Sequence, residues 1–377
     1  MEINTDDLAK QCVDEINKRI KNLKKLNIVV VGKSGVGKST LINSVFRDDL
    51  AKTGVGRPVT DTMRCISKPD YPLTIYDTPG FEQGSEQQKK VKDDILGLIR
   101  SGVNSKDINQ AIHCIWYCIN AQGNRIEPSE VEWLKNFTTE NAMTQVPVIV
   151  VLTQACPKKK ANELKAEVEK ENLNIVKVVP VLAQDMDFDE EYIATAYGLD
   201  TLIDVMQASL PTELRDTLQN VQTASLQAKH KAAQTAVAAA VTAAFGTGFA
   251  PIPFSDAAIL IPTQVGMIAG ITVIYGFDIS KSMLTGFVSA TIGTSGATVL
   301  GKTIVANLLK LIPGVGTAAG GAISGATAGL LTTALGEAYI QLMDMMYRGE
   351  MKESDLAGEK GKETIQALFQ EELKKKR

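Results

Sequence analysis

The residues best suited to chemistry lie early in the chain, at Gly32-Lys33-Ser34-Gly35-Val36-Gly37-Lys38-Ser39, a full match to G-x-x-x-x-G-K-[ST]. Glycines at these spacings let successive backbone N–H groups converge on a phosphate, which also meets the positive end of the helix that follows. Lys33 to Thr40 therefore form the expected phosphate cradle. The Lys38 ammonium is suited to the β- and γ-phosphates and the Ser39 hydroxyl to Mg²⁺. A second group, Asp77-Thr78-Pro79-Gly80, follows the strand-like run Leu73–Tyr76. There Asp77 is placed to hold Mg²⁺ through water, and the Gly80 amide to meet the γ-phosphate. Between the two lies Thr53–Arg64, rich in Gly, Pro and Thr, which reads as a loop able to order around the metal. Thr60 is the expected metal ligand, with Thr62 as its competitor.

Other chemistries find little material. There are only two histidines, His113 and His230, too few for a multi-histidine metal site or a hydrolase triad. Five cysteines without a C-x-x-C pair fit neither a disulfide framework nor a zinc module. A formal net charge of −3 lacks the basic excess of proteins that bind nucleic acid through phosphates, so no nucleic-acid partner is expected. The start, Met1 to Asp7, is acidic and polar rather than a secretory signal, which gives a cytoplasmic expectation.

Two kinds of sequence must position these residues. From Asn27 to about Leu210, β-branched runs (Leu26–Val31, Leu73–Tyr76, Ile112–Ile119, Val146–Leu152, Ile175–Leu182) alternate with helical patterns. Such alternation predicts an α/β unit whose mostly parallel sheet is covered on both faces. On the buried strand Ile112–Ile119, Cys114 and Cys118 read as core, and Lys158-Lys159-Lys160 as a solvated helix start. From Ala232 to Gly336 the charged residues are only Asp256, Asp278, Lys281, Lys302 and Lys310. This shift puts a boundary near Pro211, with Thr212–Ala244 read as one long helix. The expected domains are an amphipathic helix over 1–26, an α/β domain over 27–211, and an all-α domain over 212–377. Stretches such as Ala257–Phe277 reach the roughly 20 residues of a bilayer span, but Pro262, Pro313 and Gln264 interrupt them. Soluble helical core and peripheral or integral membrane contact both stay open.

Taken together, GKSGVGKST, Thr60 and DTPG resemble the G domain of translation-factor-class P-loop GTPases, especially the Era-like and immunity-related groups. That resemblance implies a Ras-like fold of six strands, GTP and GDP as ligands, Mg²⁺, and slow hydrolysis of GTP to GDP. It also implies a nucleotide switch with an effector domain. A second protomer docking through G domains, and a membrane surface for the apolar half, are candidate partners. Two positions depart from the family. The base-reading motif N/T-K-x-D aligns with Thr153-Gln154-Ala155-Cys156, and the later S-A-K with Leu182-Ala183-Gln184. A thiol at Cys156 cannot give the bidentate acceptor of a carboxylate, which weakens discrimination for guanine and leaves the Ala183 amide to meet the base. Phe81 stands where the water-positioning Gln is expected, so intrinsic hydrolysis should be slow. A binding protein with little hydrolysis, or relaxed GTP/ATP choice, is the alternative. The run FAPIPFSDAAILIPTQVGMIAGITVIYGFDIS resembles an uncharacterised apolar helical domain that follows G domains in some bacterial GTPases.

Overall fold

The computed structural model describes residues 5–46, 55–60, 63–78, 85–123, 125–189, 192–245, 252–253, 257–292, 322–323, 325–356 and 358–375. They form two compact units, one of Leu23–Ala228 and one joining Met1–Asn22 to Lys229–Arg377.

The first unit is built on a seven-stranded sheet in the order β2-β3-β4-β1-β5-β6-β7. Its strands are β1 (Leu26–Val31), β2 (Val55–Thr60), β3 (Met63–Ser67), β4 (Leu73–Asp77), β5 (Cys114–Asn120), β6 (Val148–Thr153) and β7 (Lys177–Pro180). From β4 to β7 every neighbouring pair is parallel, while β2 and β3 run antiparallel at one edge. β1 is buried along its whole length and alternates between two cores. Leu26, Ile28 and Val30 face α2 (Lys38–Val45), α6 (Leu199–Ser209) and α7 (Thr212–Val221). Val29 and Val31 face the other side, where α3 (Ser85–Ser105), α4 (Pro128–Asn141) and α5 (Lys158–Lys170) lie. A strand buried on both faces must be apolar throughout, which is why LNIVVV lacks the alternation of a half-exposed strand. The chain runs from β1 through β2 and β3 to β4 on one side of β1, then crosses to β5 on the other, so a ligand crevice is expected at the carboxyl end of β1.

This is the predicted α/β architecture, with β2 as an addition at the edge. The expected loop Thr53–Arg64 instead contains β2 and the first residues of β3, paired as Val55↔Ser67 to Thr60↔Met63. Val55, Val59 and Thr60 favour extended backbone, and Pro58 is tolerated because an edge strand has one side free of ladder bonds. The ladder slips between Pro58 and Thr60. Residues 61 and 62 lie outside the described set, and with them Thr62.

The long helix expected over Thr212–Ala244 is broken into α7 and α8 (Leu226–Phe245). Gln222 is fully buried, and its Oε1 accepts the Ala224 and Ser225 amides at 2.9 and 2.8 Å. The Ser225 hydroxyl then accepts the Ala228 amide at 3.1 Å and caps α8. α7 packs into the core of the sheet unit through Leu214, Leu218 and Val221.

In the second unit α1 (Thr5–Asn22) buries Leu8, Ala9, Cys12 and Ile16 against α9 (Ala257–Tyr275) and α10 (Lys281–Ile292). Its charged residues serve the same packing, with Asp6 reaching Lys281 at 3.3 Å and Arg19 lying over Gly266 and Gly270. α11 (Gly325–Tyr347) packs on α9 and on α12 (Glu359–Lys375), the latter through Leu331, Ala334, Ala338, Phe369 and Leu373. A polar cluster is buried among these helices. The Asp344 carboxylate takes the Tyr275 hydroxyl and sits 2.7 Å from His230 Nδ1, and the fully buried Lys229 ammonium donates to Ile274 O at 2.8 Å. Among the described residues no helix is long and apolar enough to cross a membrane.

Candidate functional site

The crevice at the end of β1 is lined by the loop that the sequence singled out. Gly32 has φ +153°, and a Cβ there would lie 2.5 Å from the Cys118 carbonyl oxygen of β5, so only glycine lets the loop leave the sheet this closely. The buried Cys118 thus backs the loop, as a core residue should. Beyond it Ser34, Gly35, Ser39 and Thr40 are exposed, while Val36 anchors the loop in the core. Ser39 stands in the first turn of α2, where unpaired helix amides attract an anion.

Lys38 is 8% exposed and donates to the carbonyls of Gly32 at 2.8 Å and Lys33 at 3.0 Å. Burial lowers its pKa, against an opposing pull from Asp77. Asp77 ends β4, in register with Val30 of β1 on one side and Arg64 of β3 on the other. Burial raises the Asp77 pKa, and Lys38 and Arg64 work in the opposite direction. Its Oδ1 is buried without a hydrogen-bond partner among the described residues. A buried carboxylate oxygen with no donor among the described residues, close enough to Lys38 to feel its charge, suits a hydrated divalent cation.

Lys33 points away from this group. Its ammonium meets Glu127 at 2.7 Å and Glu130 at 3.3 Å, the two glutamates whose side chains form the capping box of α4. Burial depresses the Lys33 ammonium, yet the two carboxylates prevail and its pKa is raised. Lys33 therefore braces the loop, and its backbone rather than its side chain belongs to the cradle. Glu127-Pro128-Ser129-Glu130 announces a helix start in the sequence, but nothing there signals the tie to Lys33.

The segment Thr153–Cys156 lies against the Gly32–Ser39 loop. The Thr153 hydroxyl donates to the Val36 carbonyl and, at 3.1 Å, to that of Ile119. Gln154 has φ +51° and its Nε2 donates to Gly35 O at 3.2 Å, so it keeps a tie to the phosphate loop without the expected lysine. Ala155 N donates to Val181 O at 3.1 Å, which brings in the segment carrying Ala183. Tyr197, which the sequence reading passed over, joins these two loops.

Thr60 lies on β2, and β3 intervenes between it and β4, so about 10 Å of sheet separates it from the Asp77 strand. Its side chain is outside the described set, as are Gly80 and Phe81. Lys33 to Thr40, Asp77, Thr153, Gln154 and Ala183 all belong to the same end of the sheet.

Fold and site define a P-loop α/β domain followed by a helical unit. Residues 22–204 match the Septin family model, and residues 212–377 match the model named Domain of unknown function (DUF697). Neither carries the Era-like or immunity-related grouping. Septin-1 of Drosophila melanogaster is 29% identical, over 46% of this chain and 54% of that protein. Septin-9 of Homo sapiens is 30% identical over 33% of this chain and 25% of its own length. The match with Septin-1 thus spans about half the length of that curated relative. Among solved structures, Toc33 of Arabidopsis thaliana in complex with GDP and Mg²⁺ is 18% identical with a TM-score of 0.32, over 56% of this chain and 93% of that one.

Proposed function

We propose that the chain is a guanine-nucleotide switch that binds GTP and GDP with Mg²⁺, hydrolyses GTP slowly, and couples the nucleotide state to its helical unit. The observation that carries this is the Lys38 ammonium on the Gly32 and Lys33 carbonyls near an Asp77 oxygen that has no donor among the described residues. Lys38 binds phosphate oxygens from a position fixed before the ligand arrives, which spares the ordering of a flexible side chain. The Ser39 hydroxyl and, through water, Asp77 would hold the metal, which would neutralise charge on the β- and γ-phosphate oxygens. Thr60 or Thr62 would supply a further ligand to the metal. Gly80 donates to the γ-phosphate. Phe81 orients no water, and a second protomer docking across the nucleotide face supplies what hydrolysis lacks. The charge-poor stretch Ala232–Gly336 supports contact of the helical unit with a membrane surface.

Gln154 and Cys156 favour a second reading, a nucleotide-gated binding protein with relaxed choice between GTP and ATP and little hydrolysis. Titration calorimetry of the full chain with Mg²⁺ tests both. Lys38→Ala should weaken GDP and GTP at least about 100-fold, the loss of a charge-assisted contact in a closed site. Ser39→Ala should leave GDP affinity without Mg²⁺ unchanged and remove the gain that Mg²⁺ gives. Unchanged affinity in Lys38→Ala would remove the phosphate-loop assignment.

A further inference from the structure

The base end of the crevice is closed by a residue that neither motif contains. The Tyr197 hydroxyl donates to Ala155 O at 2.5 Å, in the loop that carries Gln154 and Cys156. Its backbone pairs in both directions with Leu182, at 3.0 and 2.9 Å, next to Ala183. Gly198 follows with φ +87°, and a Cβ there would come within 2.1 Å of Pro180 O, so the chain is pressed onto the end of β7 at this point. On the outer side the Lys158 ammonium stands 4.4 Å from the Tyr197 ring centroid, a cation–π contact. One residue, 14 positions beyond Ala183 in sequence, thereby fixes both loops that flank the base.

With Cys156 in place of an acid, the usual two-point contact to a guanine edge is gone. The Ala155 N–H and carbonyl are occupied by Val181 and Tyr197, and the Cys156 amide by Gln154 O at 2.7 Å. What remains toward a base is the Cys156 thiol, the Ala183 amide and the Gln154 stem. Weak groups discriminate only when their separation is fixed, because a mobile loop adapts to either purine. We propose that Tyr197 is the positioning residue for purine choice: by joining Ala155 to Leu182 it holds Cys156 and Ala183 at a set spacing, so that the base is read by loop geometry rather than by a carboxylate. This rests on the nucleotide-binding reading above.

The test measures three ligands on the full-length protein with Mg²⁺: GDP, ADP and inorganic tripolyphosphate, which occupies the phosphate loop without a base. Tyr197→Phe keeps the ring and the cation contact and deletes one hydrogen bond. The expected result is a GDP/ADP affinity ratio reduced at least about 5-fold, with tripolyphosphate affinity unchanged. Lys158→Ala, which leaves the hydroxyl in place, should move the ratio in the same direction by less. An unmoved ratio in Tyr197→Phe overturns the inference. So does a parallel loss of all three ligands, which would make the residue a general support of the fold. A native chain that binds GDP and ADP equally overturns it too, because no choice is then left to position. Failure of the underlying reading looks different: the native protein would bind neither nucleotide nor tripolyphosphate.

Discussion

At the scale of single residues, the phosphate end and the base end of the crevice are built differently. Lys38 is buried and held on two carbonyls, and Asp77 Oδ1 has no donor among the described residues, so the proposed phosphate end holds both a cation and an open carboxylate oxygen. The base end retains the scaffolding of the family loop and loses its reader. Thr153 and Gln154 still tie the loop to the carbonyls of Val36 and Gly35, yet Cys156 has only a weak sulfur acceptor. A bidentate pair to a base contributes on the order of 1–3 kcal/mol of discrimination. Cys156→Asp combined with Gln154→Lys should therefore widen the GTP/ATP affinity ratio by about 10-fold or more, as read by competition binding. A ratio that stays put would mean that guanine is read outside this loop. The place of these residues was legible from their alignment with the motif, but their ties to Val36 and Gly35 were not. The part of Tyr197 was not, because its two partners lie 42 and 15 residues upstream in sequence and no spacing rule connects them.

At the scale of elements, periodicity served well wherever burial was uniform and failed where one polar side chain decided the outcome. The six strands of the sheet other than β2 include all five apolar runs, because a strand covered on both faces has to be continuous in apolar residues. β2 and β3 were hidden in a segment whose Gly, Pro and Thr content fits a loop and an edge strand equally. The break between α7 and α8 depends on Gln222, whose side chain substitutes for backbone partners of Ala224 and Ser225. It also donates to Gln219 Oε1 and Ser225 O at 3.0 and 2.9 Å. Deleting such a buried group leaves several partners unsatisfied at about 1–3 kcal/mol. Gln222→Ala should lower unfolding free energy by roughly this amount in urea titration. Gln222→Glu should fare no better, because a carboxylate has no N–H for Gln219 and Ser225. A neutral Gln222→Ala would show that the break is set by the neighbouring strands instead.

At the scale of the whole molecule, two units with separate cores give separate responses, and acid distinguishes them. Each unit holds one of the two histidines, His113 in Leu23–Ala228 and His230 in the helical unit. His113 is 5% exposed, and its Nδ1 accepts the Asn27 amide of β1 at 3.0 Å, a bond that only a ring with a free lone pair can make. Burial lowers its pKa from 6.5 to about 4, so the native unit holds the neutral ring while the unfolded chain takes up a proton. The sign follows. The neutral ring costs nothing above pH 6.5, and stability falls as the pH drops through 6.5 toward 4, where the native ring protonates too. At pH 5 the loss relative to pH 7 is about 2 kcal/mol, taking 1.36 kcal/mol per pKa unit. Ordinary carboxylates titrate below pH 5, and the raised Asp77 carboxyl acts with the opposite sign, so the comparison with a His113 variant isolates the imidazole. The two tryptophans, Trp116 and Trp133, both lie in the sheet unit, so their emission reports on that unit alone. Urea unfolding followed by tryptophan emission should show the 2 kcal/mol decline between pH 7 and pH 5, at the level of about 2 kcal/mol. In His113→Gln the amide side chain offers Asn27 an acceptor without titrating, and the decline should vanish even where the variant is less stable at pH 7. A variant that loses stability with pH as steeply as the native protein would place the acid sensitivity elsewhere in the sheet unit.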